Sequence, residues 1–412
     1  MKSRFPSKSD VRVHAVVLGA CLWAVYAINL TSPGLTDRSG QIKGSDFAQF
    51  YVAGWMSRHG YEAALNNPDV FAKVALDLLP DLNGVHYLPV YGPQVALFFS
   101  PLAALPYGWA LALWLVGIAF TYGLCCWLVW RTCPHLQHEG ATVFLVAVAN
   151  PAFVNVIAHG QNSAIALALF TIAYLALLKD QRFLAGMAIG SLVFKPQLGL
   201  VAACVMVVNR EWRVVAGAVV AATVQLGIAC VTYGTAVMAG YWEWLRRVGE
   251  VTDLLWVKPY QMHSLSAFWS LLLPWRGVAT TLTVISGLVT VLLACWIWKR
   301  PASLALRYSF LLLATVLVSP HLYVYDLVIL VPALFLVADW ARQEQGDPLA
   351  NPVQRAVYFS YALPLLGVAA QVTHVQLSVI ATTALTLMVG QIIIRGSESH
   401  IIARSAPSPQ VG

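Results

Sequence analysis

Residues 183–208 read FLAGMAIGSLVFKPQLGLVAACVMVV, two apolar runs (183–194 and 197–208) split by Lys195-Pro196-Gln197. Each run is too short to cross a bilayer alone, which takes about 20 residues. Proline lacks the amide that a helix interior needs and pushes the preceding residue out of helical geometry. The stretch is therefore either one kinked span or two short helices forming a hairpin, and every later loop changes sides with the choice. Lysine and arginine gather in cytoplasmic loops. With a hairpin and a cytoplasmic N-terminus, 16 of these residues fall inside and 8 outside, Lys195 uncounted. With one kinked span, Arg210, Arg213, Lys299 and Arg300 move outside and the bias weakens. The charge pattern favours the hairpin.

Outward from there, apolar runs recur at about 13–30, 107–130, 141–158, 162–178, 212–234, 277–298, 303–318, 323–338, 355–371 and 375–394. The chain of 412 residues is 59% hydrophobic and 10% charged, with mean hydropathy +0.70. Soluble domains carry about 25% charged residues. The expectation is an all-α polytopic membrane protein, a single domain over 1–412 with about twelve membrane segments and both termini inside. Residues 31–92 are expected as a large first extracytoplasmic loop, 235–276 as a second, and 395–412 as a short cytoplasmic tail. Lys2, Arg4, Lys8 and Arg12 precede the first apolar run. That run is long for a signal peptide and lacks an A-x-A site, so it reads as a first anchor helix.

The net charge of +7 matches this inside bias and implies no nucleic-acid partner. All seven cysteines lie in or beside apolar runs, and none forms a CxxC pair. A disulfide framework and a zinc site are not indicated. The phosphate-loop pattern G-x-x-x-x-G-K-[ST] and H-E-x-x-H are absent, and the outer loops carry no D-x-D. No cofactor and no metal site is expected.

The hairpin topology sends nearly all the unusual polar residues to one face. Gly44-Ser45-Asp46-Phe47-Ala48-Gln49-Phe50-Tyr51-Val52-Ala53-Gly54 opens the polar region. Ser45 is suited to cap a helix running to Gly60. Phe47, Phe50, Tyr51, Gly54 and Trp55 recur at helical spacing as one stripe, fit for the membrane surface or for other helices. Asp46 sits in the first turn, where a carboxylate complements the helix dipole or accepts a proton from a hydroxyl. Gln161 and Asn162 follow Gly160 at a helix start, where free N–H groups favour an anion. Simple capping by Asn162 explains the same residues. Lys195, in an apolar setting, is a functional candidate or a lysine snorkelling to the interface. Asp326, in Ser319-Pro320-His321-Leu322-Tyr323-Val324-Tyr325-Asp326, is placed to pair with Lys195, orient a sugar, or cap its helix. His321 is a pH-sensitive donor. Trp242, Trp244, Trp256, Trp269, Tyr241 and Tyr260 of the second loop suit interfacial anchoring, and Tyr87 to Pro93 a rigid re-entry into the membrane.

In order and spacing these motifs resemble glycosyltransferase family 87 over about residues 40–340. The resemblance rests on Asp46-Phe47 with Tyr51 and Ala53-Gly54, and on Tyr87-Leu88-Pro89. It continues through Phe98 to Pro106, Gly160-Gln161, Phe194-Lys195-Pro196-Gln197 and Ser319-Pro320. Two departures are Met262-His263-Ser264-Leu265 where members often carry Asn-Gln-Ser-Leu, and Tyr325-Asp326 where some carry His-His. The resemblance implies a GT-C fold in a bacterial inner membrane, with the active site facing the extracytoplasmic side. It implies transfer of a sugar, mannose before arabinofuranose, from a polyprenyl-phosphate donor to a lipid or glycan acceptor, inverting and without metal. Asp46 would be the base, with Lys195 and Gln161 at the donor phosphate. Tyr51, His86, Tyr87, His263, His321 and Asp326 would line the sugar and acceptor. A lipid-linked sugar flippase is the rival, but such transporters show paired broken helices, and Lys195-Pro196 has no counterpart.

Overall fold

A computed structural model describes residues 7–82, 87–247 and 258–405. His86 and Trp256 lie outside the described residues. In chain order the α-helices are α1 (Lys8–Leu30), α2 (Ser45–Arg58), α3 (Pro68–Leu78), α4 (Pro93–Phe99), α5 (Tyr107–Trp130), α6 (Gly140–Val148) and α7 (Pro151–His159). Then follow α8 (Ser163–Leu178), α9 (Arg182–Gly190), α10 (Pro196–Val208), α11 (Trp212–Tyr233), α12 (Thr235–Arg247) and α13 (Leu265–Leu272). The last are α14 (Arg276–Trp298), α15 (Leu304–Val318), α16 (Val331–Gln343), α17 (Ala350–Ala362), α18 (Ala370–Thr373) and α19 (Leu377–Ser405).

Among the described residues, seven helical stretches are long and apolar enough to cross a membrane. They are Ser9–Leu30, Tyr107–Trp130, Trp212–Tyr233, Arg276–Trp298, Val324–Gln343, Ala350–Thr373 and Leu377–Ser397. An eighth forms if α6 and α7 with their flanks act as one span, bent by 44°. The bend has a local cause, since Asn150 caps α7 through the amides of Ala152 and Phe153 and Pro151 opens the helix. Four further apolar helices, Ser163–Leu178, Arg182–Phe194, Pro196–Val208 and Leu304–Val318, are shorter. The multi-pass architecture thus stands, while the described residues supply seven or eight helices of spanning length rather than the twelve membrane segments expected.

The hairpin at 183–208 is present. Pro196 starts α10, and Lys195 sits in the break at φ −134° and ψ 69°. α9 runs parallel to α11: a Cβ on Gly186 would meet the Val214 carbonyl oxygen at 2.0 Å, and one on Gly190 that of Ala218 at 2.1 Å. Two glycines four residues apart let the backbones touch, the small-xxx-small device of membrane helices. Because α9 and α11 run the same way, α10 must return between them. Arg182 at the foot of α9 also reaches Glu211 beyond α10, at 2.6 Å.

Val324–Gln343 is the central element, mostly buried, whereas α1, α11 and α14 turn much of their apolar surface outward. Val231, Trp109 and Phe120 are more than two-thirds exposed, as lipid-facing side chains are.

The polar region at 31–92 differs from a plain loop. It folds into α2, a short turn at 62–64 and α3. α2 does not lie bare on the membrane: Phe47, Ala48, Phe50, Tyr51, Val52 and Met56 are all buried, so burial exceeds the single stripe. Its N-cap is Gly44, in left-handed geometry at φ 69°, with no side-chain cap, and the helix ends at Arg58. Ser45 is not the cap because its hydroxyl is engaged elsewhere. At the other end of the chain, α19 continues to Ser405, into the stretch expected as a tail.

Candidate functional site

The first turn of α2 is held from several directions. Tyr107 donates its hydroxyl to the carbonyls of Lys43 (2.7 Å) and Gly44 (3.1 Å), and Tyr87 donates to the Ser45 carbonyl. Ser45 Oγ pairs with His159 Nδ1 at 2.9 Å. Phe47 is fully buried against the rings of Tyr51, Phe99, Tyr107 and Trp114. Asp46 is thereby fixed, half-buried, at a closed corner.

The opposing wall is the turn after α7. Gly160 takes φ 64°, and a Cβ there would lie 2.7 Å from Phe47 Cβ. Trp114 Nε1–H donates to the Gly160 carbonyl at 2.8 Å. Only glycine permits both the left-handed backbone and this approach. The next residue makes the join, with Gln161 Nε2–H donating to Asp46 Oδ2 at 3.0 Å. Gln161 Oε1 accepts from the Asn162 amide at 2.8 Å and from Lys195 Nζ at 3.5 Å. With its oxygen facing two donors, the amide can turn only its NH2 toward Asp46, so that carboxylate oxygen is an acceptor.

Lys195 completes the network from the break between α9 and α10. Its ammonium donates to Asp326 Oδ1 at 2.7 Å and to Ser163 Oγ at 3.0 Å. Ser163 Oγ–H in turn donates to the same Oδ1 at 2.6 Å. Asp326 Oδ2 accepts from the Tyr323 amide at 3.4 Å. The Lys195 and Asp326 side chains are each only 4% exposed, and the ammonium stands 5.5 Å over the Tyr325 ring. A continuous chain, Asp46–Gln161–Lys195–Asp326, thus joins four segments far apart in sequence.

Of the other expected site residues, Tyr87 lies beside Asp46. Burial, and then the Asp46 charge, raise its hydroxyl well above the usual tyrosine range. His321 is exposed, its ring 4.9 Å from that of Tyr323. Two residues are not brought in. Tyr51 turns its hydroxyl away, to the Leu105 carbonyl at 2.9 Å. His263 is buried and bonds Ser378 Oγ at 2.7 Å through Nδ1. Burial lowers its imidazole to about 4, so it is neutral near pH 7. Its backbone amide donates to the Leu322 carbonyl at 2.9 Å, bracing the 319–323 loop from behind. The Asn162 side chain does not cap α8, and its Oδ1 is buried without a hydrogen-bond partner among the described residues.

The sequence alone assigns no role to Ser163 or His159. Ser163 adjoins the Gly160-Gln161 motif, but nothing local marks it as a ligand of both Lys195 and Asp326. Tyr325, one residue before Asp326, faces His159 edge-on at 6.1 Å. Chemically the site offers a carboxylate with one oxygen already satisfied, a dry ammonium held by three partners, and an aromatic flank.

Comparison with known proteins adds one match. The model of Glycosyltransferase family 87 matches residues 90–320, more than half of the chain. That span holds Gln161, Ser163 and Lys195, begins after Asp46 and stops before Asp326. No curated protein and no solved structure matches.

Proposed function

The chain belongs to glycosyltransferase family 87 and is a multi-pass membrane glycosyltransferase; from that premise we propose that it moves a mannosyl group from a polyprenyl-phosphate donor to a hydroxyl of a lipid or glycan acceptor. The reaction is inverting and metal-independent, runs on a GT-C scaffold, and takes place on the extracytoplasmic side of a bacterial inner membrane. The network joining Asp46 to Lys195 through Gln161 supports this reading.

Asp46 is the general base. Gln161 occupies Oδ2, which leaves Oδ1 to take the proton of the acceptor hydroxyl, and the freed alkoxide attacks the anomeric carbon from the face opposite the phosphate. One base and one displacement invert the centre, so a β-linked donor yields an α-glycoside. The departing lipid phosphate gains negative charge as the bond breaks. Lys195, held within reach of the same glutamine, stabilises that charge, the preorganised electrostatics that contribute most in such sites. Tyr87 and His321 flank the sugar and acceptor.

The test is transfer by purified protein in nanodiscs. Polyprenyl-phosphate mannose and polyprenyl-phosphate arabinose are supplied separately, with a crude lipid and glycan extract as acceptor and with chelator present. Asp46→Asn keeps its bond from Gln161 and loses only the base. Its transfer rate should fall about 10²- to 10⁴-fold, with donor binding unchanged. Near-wild-type transfer by Asp46→Asn would remove Asp46 from the role. Donor binding with no transfer by either protein would point to a carrier of lipid-linked sugar instead.

A further inference from the structure

The three donor positions of Lys195 are all engaged, by Asp326, Ser163 and Gln161. Its charge is already matched at 2.7 Å by a carboxylate as buried as itself. A phosphate arriving beside this ammonium gains little from a charge that another anion holds. If Asp326 stayed ionised, the phosphodiester and Asp326 would set two negative charges against one ammonium in a dry site. Desolvated like charges are strongly unfavourable.

Accepting that the donor is a polyprenyl-phosphate sugar, as proposed above, we propose that Asp326 is the counter-ion which the donor phosphate displaces from Lys195, and that Asp326 takes up one proton from solvent as it is displaced. Ser163 serves both states: its hydroxyl donates to the free carboxylate, and its oxygen can accept from a carboxylic acid. Asp326 is thus a positioning residue. It holds the lysine in register while the site is empty and releases it, neutralised, when the donor arrives. No bond other than O–H forms at Asp326, and the single negative charge of the donor replaces the one removed.

The charged and titratable groups around Asp326 are few. Lys195 faces it from the hairpin. Asp326 also acts electrostatically on Tyr91, on His321, and on Tyr323 and Tyr325 of its own segment. Of these, His321 is the other proton acceptor, its imidazole lowered from the usual value by burial, and Asp46 is the second carboxylate of the network.

Calorimetric titration of wild-type protein in nanodiscs with polyprenyl-phosphate mannose, without acceptor, reads the proton directly. The donor is a phosphodiester with no titration of its own in this range. Paired buffers of different protonation enthalpy should show uptake of about one proton, with Kd rising about tenfold per pH unit on the alkaline side. Asp326→Asn should bind donor with no proton uptake and no pH slope, while His321→Gln and Asp46→Asn keep both. The wild-type count stands even if Asp326→Asn fails to fold. Donor binding without proton uptake, or uptake abolished in Asp46→Asn or His321→Gln, overturns the proposal alone. Failure of wild type to bind the donor at all overturns the reading of function and this proposal with it.

Discussion

Breaking the Lys195–Asp326 pair one partner at a time should be far more damaging than removing both. At 2.7 Å and an effective dielectric of about 20, the attraction is roughly 6 kcal/mol. Most of it repays desolvation, because both side chains are 4% exposed. Replacing a buried pair by apolar side chains of similar volume is therefore often near neutral, whereas removing one partner costs about 3–5 kcal/mol. Lys195→Met strands Asp326 with only the Ser163 hydroxyl and the Tyr323 amide. Asp326→Leu strands the ammonium with Ser163 and Gln161. Each single variant should lose roughly 3–5 kcal/mol. The double variant Lys195→Met/Asp326→Leu should lie within about 1 kcal/mol of wild type and yet transfer no sugar, a coupling of several kcal/mol. Unfolding by graded addition of sodium dodecyl sulfate to micelles, followed by tryptophan fluorescence, gives the four free energies. If the losses simply add, with a coupling below about 1 kcal/mol, the pair is not the dry, mutually dependent unit described here.

Two further outcomes follow from geometry. Gly160→Ala adds a methyl at φ 64° and 2.7 Å from Phe47 Cβ, which must push the start of α2 away from Gln161. The backbone conformation alone costs about 1–2 kcal/mol, and a misplaced Asp46 should lower transfer by about 10²-fold in the protein that remains folded; unchanged kinetics would disprove the contact. For His263, burial lowers the folded-state value to about 4 from 6.5, so the unfolded chain binds the proton more readily. Stability is full above about pH 6.5 and falls as pH drops toward 4, by roughly 3 kcal/mol in all. His263→Gln should flatten that part of a thermal-stability profile, and a profile identical to wild type would count against it.

The parts of this molecule legible in the sequence are those with local or statistical signatures. Apolar runs gave the multi-pass helical class, and Arg210 and Arg213 argued for the hairpin now seen in the parallel packing of α9 on α11. Lys195 stood out as a charge in an apolar setting, and Gln161 and Asp326 as polar residues at helix starts on the same face. The misses come from contacts across the chain. Ser45 looked like a helix cap, but Gly44 in left-handed geometry takes that place and Ser45 bonds His159, 114 residues away. His263 looked like a site residue, yet its side chain is taken up by Ser378, 115 residues on, while its backbone braces the loop at Leu322. The region at 31–92 read as loop because it is polar on average, although Phe47, Phe50, Phe71 and Leu82 are almost wholly buried. Short helices such as α10 and α15 gain their place from neighbours and fall below any length rule for an isolated span.

The separation of Lys195 from Asp326 also sets a clock. The two residues lie 131 positions apart, so at ordinary translation speeds the carboxylate emerges roughly 7 to 26 s after the lysine. During that interval the tip of the hairpin carries an ammonium with no counter-ion, and hydrocarbon is a poor place for it. The nascent α9–α10 hairpin is expected to wait with its tip at the water boundary and to settle only once α15 and the segment after it have been delivered. Residue order along the chain thereby makes the candidate site one of the last parts of the protein to become dry.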